Sequence, residues 1–332
     1  DHPTGAWIII AIHSTRLGPG TGGTRMQTYS DFNAALQDTL RLSESMTYKF
    51  AIPDMPYGGA KAVIAVPHTL DTPFRSELLK RYGKLIKQLG GLYLTGPDVG
   101  TSAEDMDIIS ETGNPYVFSR TPSAGGSGSS GPYTALGVFA AIQTACEFLF
   151  GSNSLHNRSV LVQGAGSVGR TLISHLQQAG AEIYFNDINT DIITRLENQG
   201  LHFIPSEQIY STECDIFSPC ALGGVLNAET IPQLNCRAIV GGANNQLTEP
   251  ADADKLRDRN ILYAPDYVVN IGGAMAILGL EVQGWTIKQA EAEVSANIKR
   301  ALKQVLALSA KENITTEDAA RRIAKKRLVD ST

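Results

Sequence analysis

The sequence predicts an α/β chain of two domains, and three observations carry that prediction. Its 332 residues suit about two domains at roughly 150 residues each. The stretch Thr121-Pro-Ser-Ala-Gly-Gly-Ser-Gly-Ser-Ser-Gly-Pro132 is the strongest boundary signal in the chain, either a plain linker or an inter-domain hinge. Beyond it, an apolar strand runs into a glycine turn, a helix and a second strand, the order of a parallel α/β unit.

Composition narrows the function classes. Hydrophobic residues make up 42% and charged residues 18%, which excludes a disordered chain. Twenty-eight basic against 33 acidic residues give a net charge of −5, so no basic field exists for nucleic acid or an anionic membrane. The longest apolar run, Trp7 to Ile12, falls far short of the ~20 residues that span a bilayer. The 4 cysteines show neither CxxC pairing nor histidines at metal spacing. Free thiols in a reducing cytoplasm, with no metal, are expected. The chain opens on Asp1 rather than Met, which leaves a segment upstream open. Glycine is the unusual count, at 32. It clusters at 18–23, 58–59, 125–131, 164–169, 223–224, 241–242 and 272–273, and all but the linker cluster read as backbone cleared for ligands.

Taken in order, Trp7–His13 is β-branched and apolar, as a buried strand requires. Ser30 and Asp31 offer an N-cap to a helix carrying Phe32, Leu36 and Leu40. Thr72-Pro73 opens a helix with Leu78, Leu79, Tyr82, Leu85, Ile86 and Leu89 at spacings of three and four, stopped by Gly90-Gly91. Strands at Lys61–Val66 and Leu92–Thr95 flank it. A further apolar helix is expected over Thr134–Leu149.

Ser159-Val-Leu-Val-Gln163 then leads into Gly164-Ala165-Gly166-Ser167-Val168-Gly169, a helical pattern, and Glu182-Ile-Tyr-Phe-Asn-Asp187. Strand, turn, helix, strand and terminal acid together form a dinucleotide signature. Gly164 permits the tight turn, Gly166 lets backbone reach a pyrophosphate at the helix N-terminus, and Gly169 lets the helix lie close on the sheet. Asp187 is placed to accept from a ribose hydroxyl and to repel a 2′-phosphate. The expected cofactor is NAD, on a Rossmann-type domain.

Lys49 and Lys61 lie in an apolar stretch, Lys61 directly after Gly58-Gly59-Ala60 and before a strand. Lysines ordinarily decorate solvated faces, but a desolvated one becomes a base near neutral pH. Asp98, in Thr95-Gly-Pro-Asp-Val-Gly100, follows a strand. It reads either as a turn former or as a site carboxylate.

With these residues the chain resembles the amino acid dehydrogenases, the leucine, valine, phenylalanine and tryptophan enzymes with glutamate dehydrogenase more distant. The resemblance rests on Leu17–Met26, Met46–Lys49, Gly58–Lys61, Gly96–Thr101, Cys214–Gly223, Ala243–Gln246 and Tyr263–Gly273, and spans essentially the whole chain in order. It implies a substrate domain of residues 1–130 and 313–332, an NAD domain of 131–312, a cleft between them, and a homo-oligomer. By the resemblance Lys49 grips the substrate carboxylate, Lys61 is the general base for water, and Asp98 relays protons. Gly22, Gly23, Met46 and Asn270 position the substrate, and Thr134, Ala221 and Asn244 lie near the cofactor. The implied reaction is reversible oxidative deamination of an L-amino acid to a 2-oxo acid and ammonia. Two departures, Ile271 where alanine is usual and Pro97 before Asp98, remove no reacting group.

Glutamate-specific relatives carry lysine where this chain has Thr21 and serine where it has Ile277, so a side-chain carboxylate would be buried without partners. Leucine-type relatives usually carry larger residues than Thr21, Gly96 and Ala274. A wider apolar pocket, lined also by Met275, is expected. It favours an aromatic amino acid, tryptophan ahead of phenylalanine, over leucine or valine. A degenerate NAD-binding sensor is the non-enzyme alternative, and it requires a broken constellation that Lys49, Lys61, Asp98 and Asn270 do not display.

Overall fold

The computed structural model describes residues 1–330, and the chain divides into two compact units. The first comprises Asp1–Ser129, Ile277–Thr286 and the chain from Ala324. The second comprises Ser130–Ala276 and Ile287–Ile323.

In unit 1 the order is β1 (Trp7–Ser14), β2 (Gly20–Gln27), α1 (Phe32–Ala51), β3 (Gly58–Ala65), α2 (Thr72–Gln88), β4 (Tyr93–Pro97) and α3 (Ala103–Gly113). The sheet order is β1-β3-β2-β4, with β1 antiparallel to β3 and the other pairs parallel. Every residue of β3 is buried, and side chains alternate across a strand. Ala60, Ala62 and Ile64 therefore join the core made with Leu78, Leu79 and Tyr82 of α2 and Met106 and Ile109 of α3. Val63 and Ala65 pack on Ala35 of α1 on the other face, the face that also receives Lys61. The polar atoms of the α2 side are paired with one another, Thr24 Oγ1 meeting the Tyr82 hydroxyl at 2.6 Å and Thr95 Oγ1 at 2.7 Å.

Local signals explain most boundaries. Asp31 caps α1 by accepting from Ala34 N–H at 2.9 Å. The cap of α2 is Asp71 rather than Thr72, because Thr72 is already helical. No apolar periodicity announces β2, whose sequence is GTGGTRMQ. It forms because β3 and β4 pair with it on both edges, and at Gly22 the fold leaves no room for a side chain. A Cβ on Gly22 would lie 1.8 Å from the Ala60 carbonyl oxygen.

Unit 2 contains α4 (Gly131–Phe150), β5 (Ser159–Gln163), α5 (Ser167–Gln178), β6 (Glu182–Asn186), α6 (Thr190–Glu197), β7 (His202–Phe203), β8 (Cys214–Pro219), β9 (Cys236–Ile239), α7 (Asp252–Asp258), β10 (Leu262–Tyr263) and α8 (Asp266–Val269). There follow α9 (Gly272–Glu281), α10 (Ile287–Glu312) and α11 (Thr316–Asp330). The division between the units falls within α9 and α11. The sheet is parallel throughout, in the order β10-β9-β8-β5-β6-β7, the doubly wound arrangement with its switch point between β5 and β8. By length and composition α4 could cross a bilayer. Here it is a core helix, with Val138, Ala141, Ile142 and Ala145 buried.

Two segments fall on the other side of the division from the expected bounds. Residues 313–323 belong to unit 2, because Thr316 Oγ1 donates to the Tyr263 carbonyl at 2.5 Å. Residues 277–286 belong to unit 1, where Gln283 Nε2 donates to the Tyr57 hydroxyl at 3.2 Å. The glycine–serine stretch after Thr121 is also no plain flexible linker. Thr121 donates through N–H and Oγ1 to Asp107. Ser127 N–H and the backbone N–H of Ser119 donate to the Glu281 carboxylate. Its glycines accommodate an ordered loop that side chains hold down.

Candidate active site

The chemistry of unit 1 gathers on the α1 face of the sheet. Lys61 is 5% exposed, and its Nζ lies 3.2 Å from Asp98 Oδ2. Burial pushes the Lys61 amine below its usual value, against the opposing pull of Asp98. Burial alone would raise Asp98, but the charges of Lys61 and Arg25 outweigh it and hold the carboxyl below its usual range. The Arg25 Nε donates to the same Oδ2 at 2.8 Å. Among the described residues nothing bonds Asp98 Oδ1, so one oxygen is held and the other is left for a reacting molecule.

Gly23 lies beside this group, a Cβ there falling 3.0 Å from Asp98 Cβ. Met46 of α1 lies against Gly22, 3.3 Å from where its Cβ would be. Lys49 occupies the last turn of the same helix. That turn is clamped to β3 where Gly59 faces Thr47.

Several glycines that read as ligand contacts also serve the protein's own packing. Gly22 and Gly23 clear the carbonyls of Ala60 and Pro97, and Gly272 and Gly273 clear Tyr133 and Thr134 at the start of α4. At Gly96 the neighbour is a side chain. The ring of Phe118 takes its space, 2.4 Å from where a Cβ would sit. Thr21 is 1% exposed and turns its hydroxyl to the Pro19 carbonyl. Of the three small residues, Ala274 alone is half-buried. Ile277, in α9, is buried.

In unit 2 the Gly164–Gly169 turn follows β5, with Ala221 from beyond β8 against Gly164, Asn244 from beyond β9 against Gly223 and Asp187 just past β6, while Thr134 stands in α4. Gly164 has φ +88° and lies against Ala221, 2.6 Å from a built Cβ to the Ala221 Cβ. Gly169 touches back on the Gly164 carbonyl. Gly166 differs from both, because a Cβ there meets no atom of the chain within 4 Å. The fold itself does not require that glycine. The exposed start of α5, with Ser167 and Val168, has no side-chain cap on its N–H groups. Open space, uncapped donors and a missing Cβ fit a bound pyrophosphate. Asp187 is fixed at the end of β6, Oδ2 accepting from Ala165 N–H at 2.7 Å and Oδ1 from Asn189 N–H at 2.9 Å.

Asn270 donates Nδ2 to Asn244 Oδ1 at 2.8 Å, while its own Oδ1 is buried without a partner among the described residues. A buried acceptor left empty is costly, and an N–H of a bound molecule would satisfy it. Asp266, inside the run Tyr263–Gly273, supports this region without having been assigned a role. Its Oδ2 accepts from Asn245 N–H at 2.7 Å, fixing the turn that presents Asn244. Arg25 and Phe118 were equally unassigned. Arg25 stands inside a quoted motif, two positions from Gly23 on the strand face, which could have identified it. Among the described residues no three His, Cys, Asp or Glu side chains gather as metal ligands.

Residues 6–114 match the family model Glu/Leu/Phe/Val dehydrogenase, dimerisation domain, and residues 185–332 match Glutamate/Leucine/Phenylalanine/Valine dehydrogenase. A leucine dehydrogenase of Geobacillus stearothermophilus is 41% identical over 99% of this chain and 88% of its own. A phenylalanine dehydrogenase of Lysinibacillus sphaericus is 39% identical over 98% and 86%. The crystal structure of L-tryptophan dehydrogenase from Nostoc punctiforme superposes with a TM-score of 0.87 at 37% identity, over 99% of this chain and 93% of that one. With its lysine–aspartate pair and its dinucleotide turn both intact, the chain belongs to the Glu/Leu/Phe/Val dehydrogenase family, the amino acid dehydrogenases.

Proposed function

We propose that the protein reversibly deaminates an aromatic L-amino acid with NAD, tryptophan being the favoured substrate. The observation that carries the chemistry is Lys61, a buried amine 3.2 Å from a charged carboxylate. Lys49 holds the substrate carboxylate, and Asn270 Oδ1 accepts from the substrate amine. The turn Gly164–Gly169 and Asp187 hold NAD, whose nicotinamide when bound accepts hydride from the substrate Cα. Lys61 in its neutral form takes a proton from the water that adds to the imine carbon. Asp98, ionised and free at Oδ1, takes the proton that the substrate ammonium sheds before hydride transfer, returns it to the departing amine, and takes the carbinolamine hydroxyl proton as the 2-oxo acid and ammonia form. The base must be unprotonated, so kcat/KM rises with pH through the titration of Lys61. Its lowered position brings that rise below the ordinary lysine range.

Substrate class rests on Thr21, Met46 and Ile277, which bring no charge to a side chain, and on the likeness to the tryptophan enzyme. Phe118 supplies an aromatic wall beside Gly96. The same ring takes room, and this favours leucine as the second reading. A panel of tryptophan, phenylalanine, leucine, valine and glutamate, followed by NADH absorbance, tests both. Tryptophan and phenylalanine are expected to exceed the aliphatic pair, with glutamate inactive. Preference for leucine would overturn the aromatic assignment, and inactivity with every amino acid would overturn the enzyme.

We also infer a homo-oligomer. The edge strand β1 exposes Trp7 at 59%, and Phe32, 5.0 Å from it ring to ring, and Leu40 of α1 are exposed beside it. Monomers blunt such edges, and the matched model is a dimerisation domain. Sedimentation at micromolar concentration is expected to give a dimer or larger species; a monomer would refute it.

A further inference from the structure

The ionic row through Lys61 and Asp98 continues past the residues assigned to the chemistry. Arg25, which shares Asp98 Oδ2 with Lys61, uses its other arm on Asp38, Nη1 donating to Oδ2 at 2.9 Å. Asp38 is fixed in turn by the Tyr29 hydroxyl at 2.7 Å and by Arg41 Nη2 at 2.8 Å. Charges alternate along Arg41, Asp38, Arg25, Asp98 and Lys61. The two kinds of cation differ in one respect. A guanidinium keeps its proton wherever the protein is folded, whereas a buried lysine amine gives its proton up.

Resting on the deamination reading above, we propose that Arg25 is a positioning residue. Anchored on Asp38, it grips Asp98 through Oδ2 and gives that carboxylate a cation that persists when Lys61 releases its proton. Were Lys61 the sole partner, each release would strand a negative charge in a partly buried site, and the lysine would cling to its proton. Arg25 removes that penalty, and its own positive charge opposes a proton on Lys61. Asp38 acts in the reverse sense, because its negative charge favours the lysine cation and offsets Arg25.

The groups around Lys61 are few. Arg25 faces it from β2, Asp98 from just beyond β4, and Asp38, backed by Arg41, from α1. Tyr29 follows β2, and burial together with Asp38 pushes its phenol up to about 12, so it stays neutral. Strand β1 sets Ala11 opposite Lys61, and its His13 is engaged with Thr47 Oγ1 at 2.9 Å. Lys49 lies further along α1, in its last turn.

The two anchors therefore predict shifts of opposite sign. Two measurements read them: the pH profile of kcat/KM, and a substrate-free NMR titration of 13C-labelled lysine with the Lys61 signal assigned from Lys61→Arg. Arg25→Gln is expected to move both upward by about one pH unit or more, the scale of losing one close like charge, and to lower kcat about tenfold. Arg25→Lys restores only part of the shift, because one amine cannot bridge both carboxylates and can lose its proton when buried. Asp38→Asn moves both downward by a smaller amount, and it decides the sign if Arg25→Gln does not fold. Unmoved titrations, or shifts of one sign in Arg25→Gln and Asp38→Asn, would overturn the proposal. The NMR titration needs no turnover, so a wild-type protein inactive with every amino acid would sink the deamination reading separately.

Discussion

Replacing Lys61 with alanine is expected to lower kcat/KM by about three orders of magnitude, within the usual range for removing a positioned general base, while NAD affinity changes by less than about twofold. The loss is catalytic rather than structural, because the pair partner is not abandoned. Arg25 remains 2.8 Å from Asp98 Oδ2, so the carboxylate keeps a cation and its orientation. The removed amine was itself an unfavourable burial, its charged form disfavoured by the surrounding apolar strand. Stability should accordingly hold or rise slightly. Lys61→Met, which fills the same volume without a base, should match the alanine variant. Steady-state kinetics with NADH absorbance, together with NAD titration by intrinsic fluorescence, measure both quantities. Turnover retained within tenfold would mean that another group activates the water.

What the sequence disclosed and what it hid divide along a physical line. The run from Ser159 to Asp187 was legible because each part has a local cause: apolar residues make the strand, glycines make the turn, and an acid ends the next strand. Lys61 was legible because a lysine between a glycine pair and a buried strand is out of place. The strand Gly20–Gln27 was hidden, since its conformation is imposed by the strands beside it and not by its own residues. The loop after Thr121 was hidden for the same reason. Its order comes from Asp107 and Glu281, the latter 154 positions along the chain from Ser127. Arg25 was visible as a letter of a motif, but its two carboxylates come from separate elements. No spacing rule joins them. Gly96 alone could not be read from sequence, because absence of a side chain implies space only when no neighbour claims it, and the Phe118 ring lies where its Cβ would be.

The same distinction gives the glycines opposite expected behaviour. A methyl group at Gly59 would lie 2.1 Å from both the amide nitrogen and Oγ1 of Thr47, and 2.5 Å from its Cα. Thr47 is fully buried, and helix backbone cannot rotate aside as a flexible side chain can. Helix α1 must therefore move off β3 as a body, carrying Met46 and Lys49 with it. Gly59→Ala is expected to cost about 3 kcal/mol, the upper end of ordinary overpacking. That lowers the melting temperature by about 10 °C at 2–4 °C per kcal/mol, with substrate KM raised in step. Gly166→Ala inverts the outcome. Its methyl meets nothing within 4 Å, so unfolding should shift by less than about 1 kcal/mol, the scale of a changed N-cap. NAD binding should nonetheless weaken about tenfold, or 1.4 kcal/mol. Thermal melts and NAD titrations of both variants separate the cases. If Gly59→Ala melted with the wild type, α1 could not be clamped where Gly59 meets Thr47. If Gly166→Ala bound NAD normally, the space at the start of α5 would not be reserved for the cofactor. One glycine is kept small by the helix packed on its strand and the other is expected to be kept small by a ligand, and only the atoms around the missing methyl tell them apart.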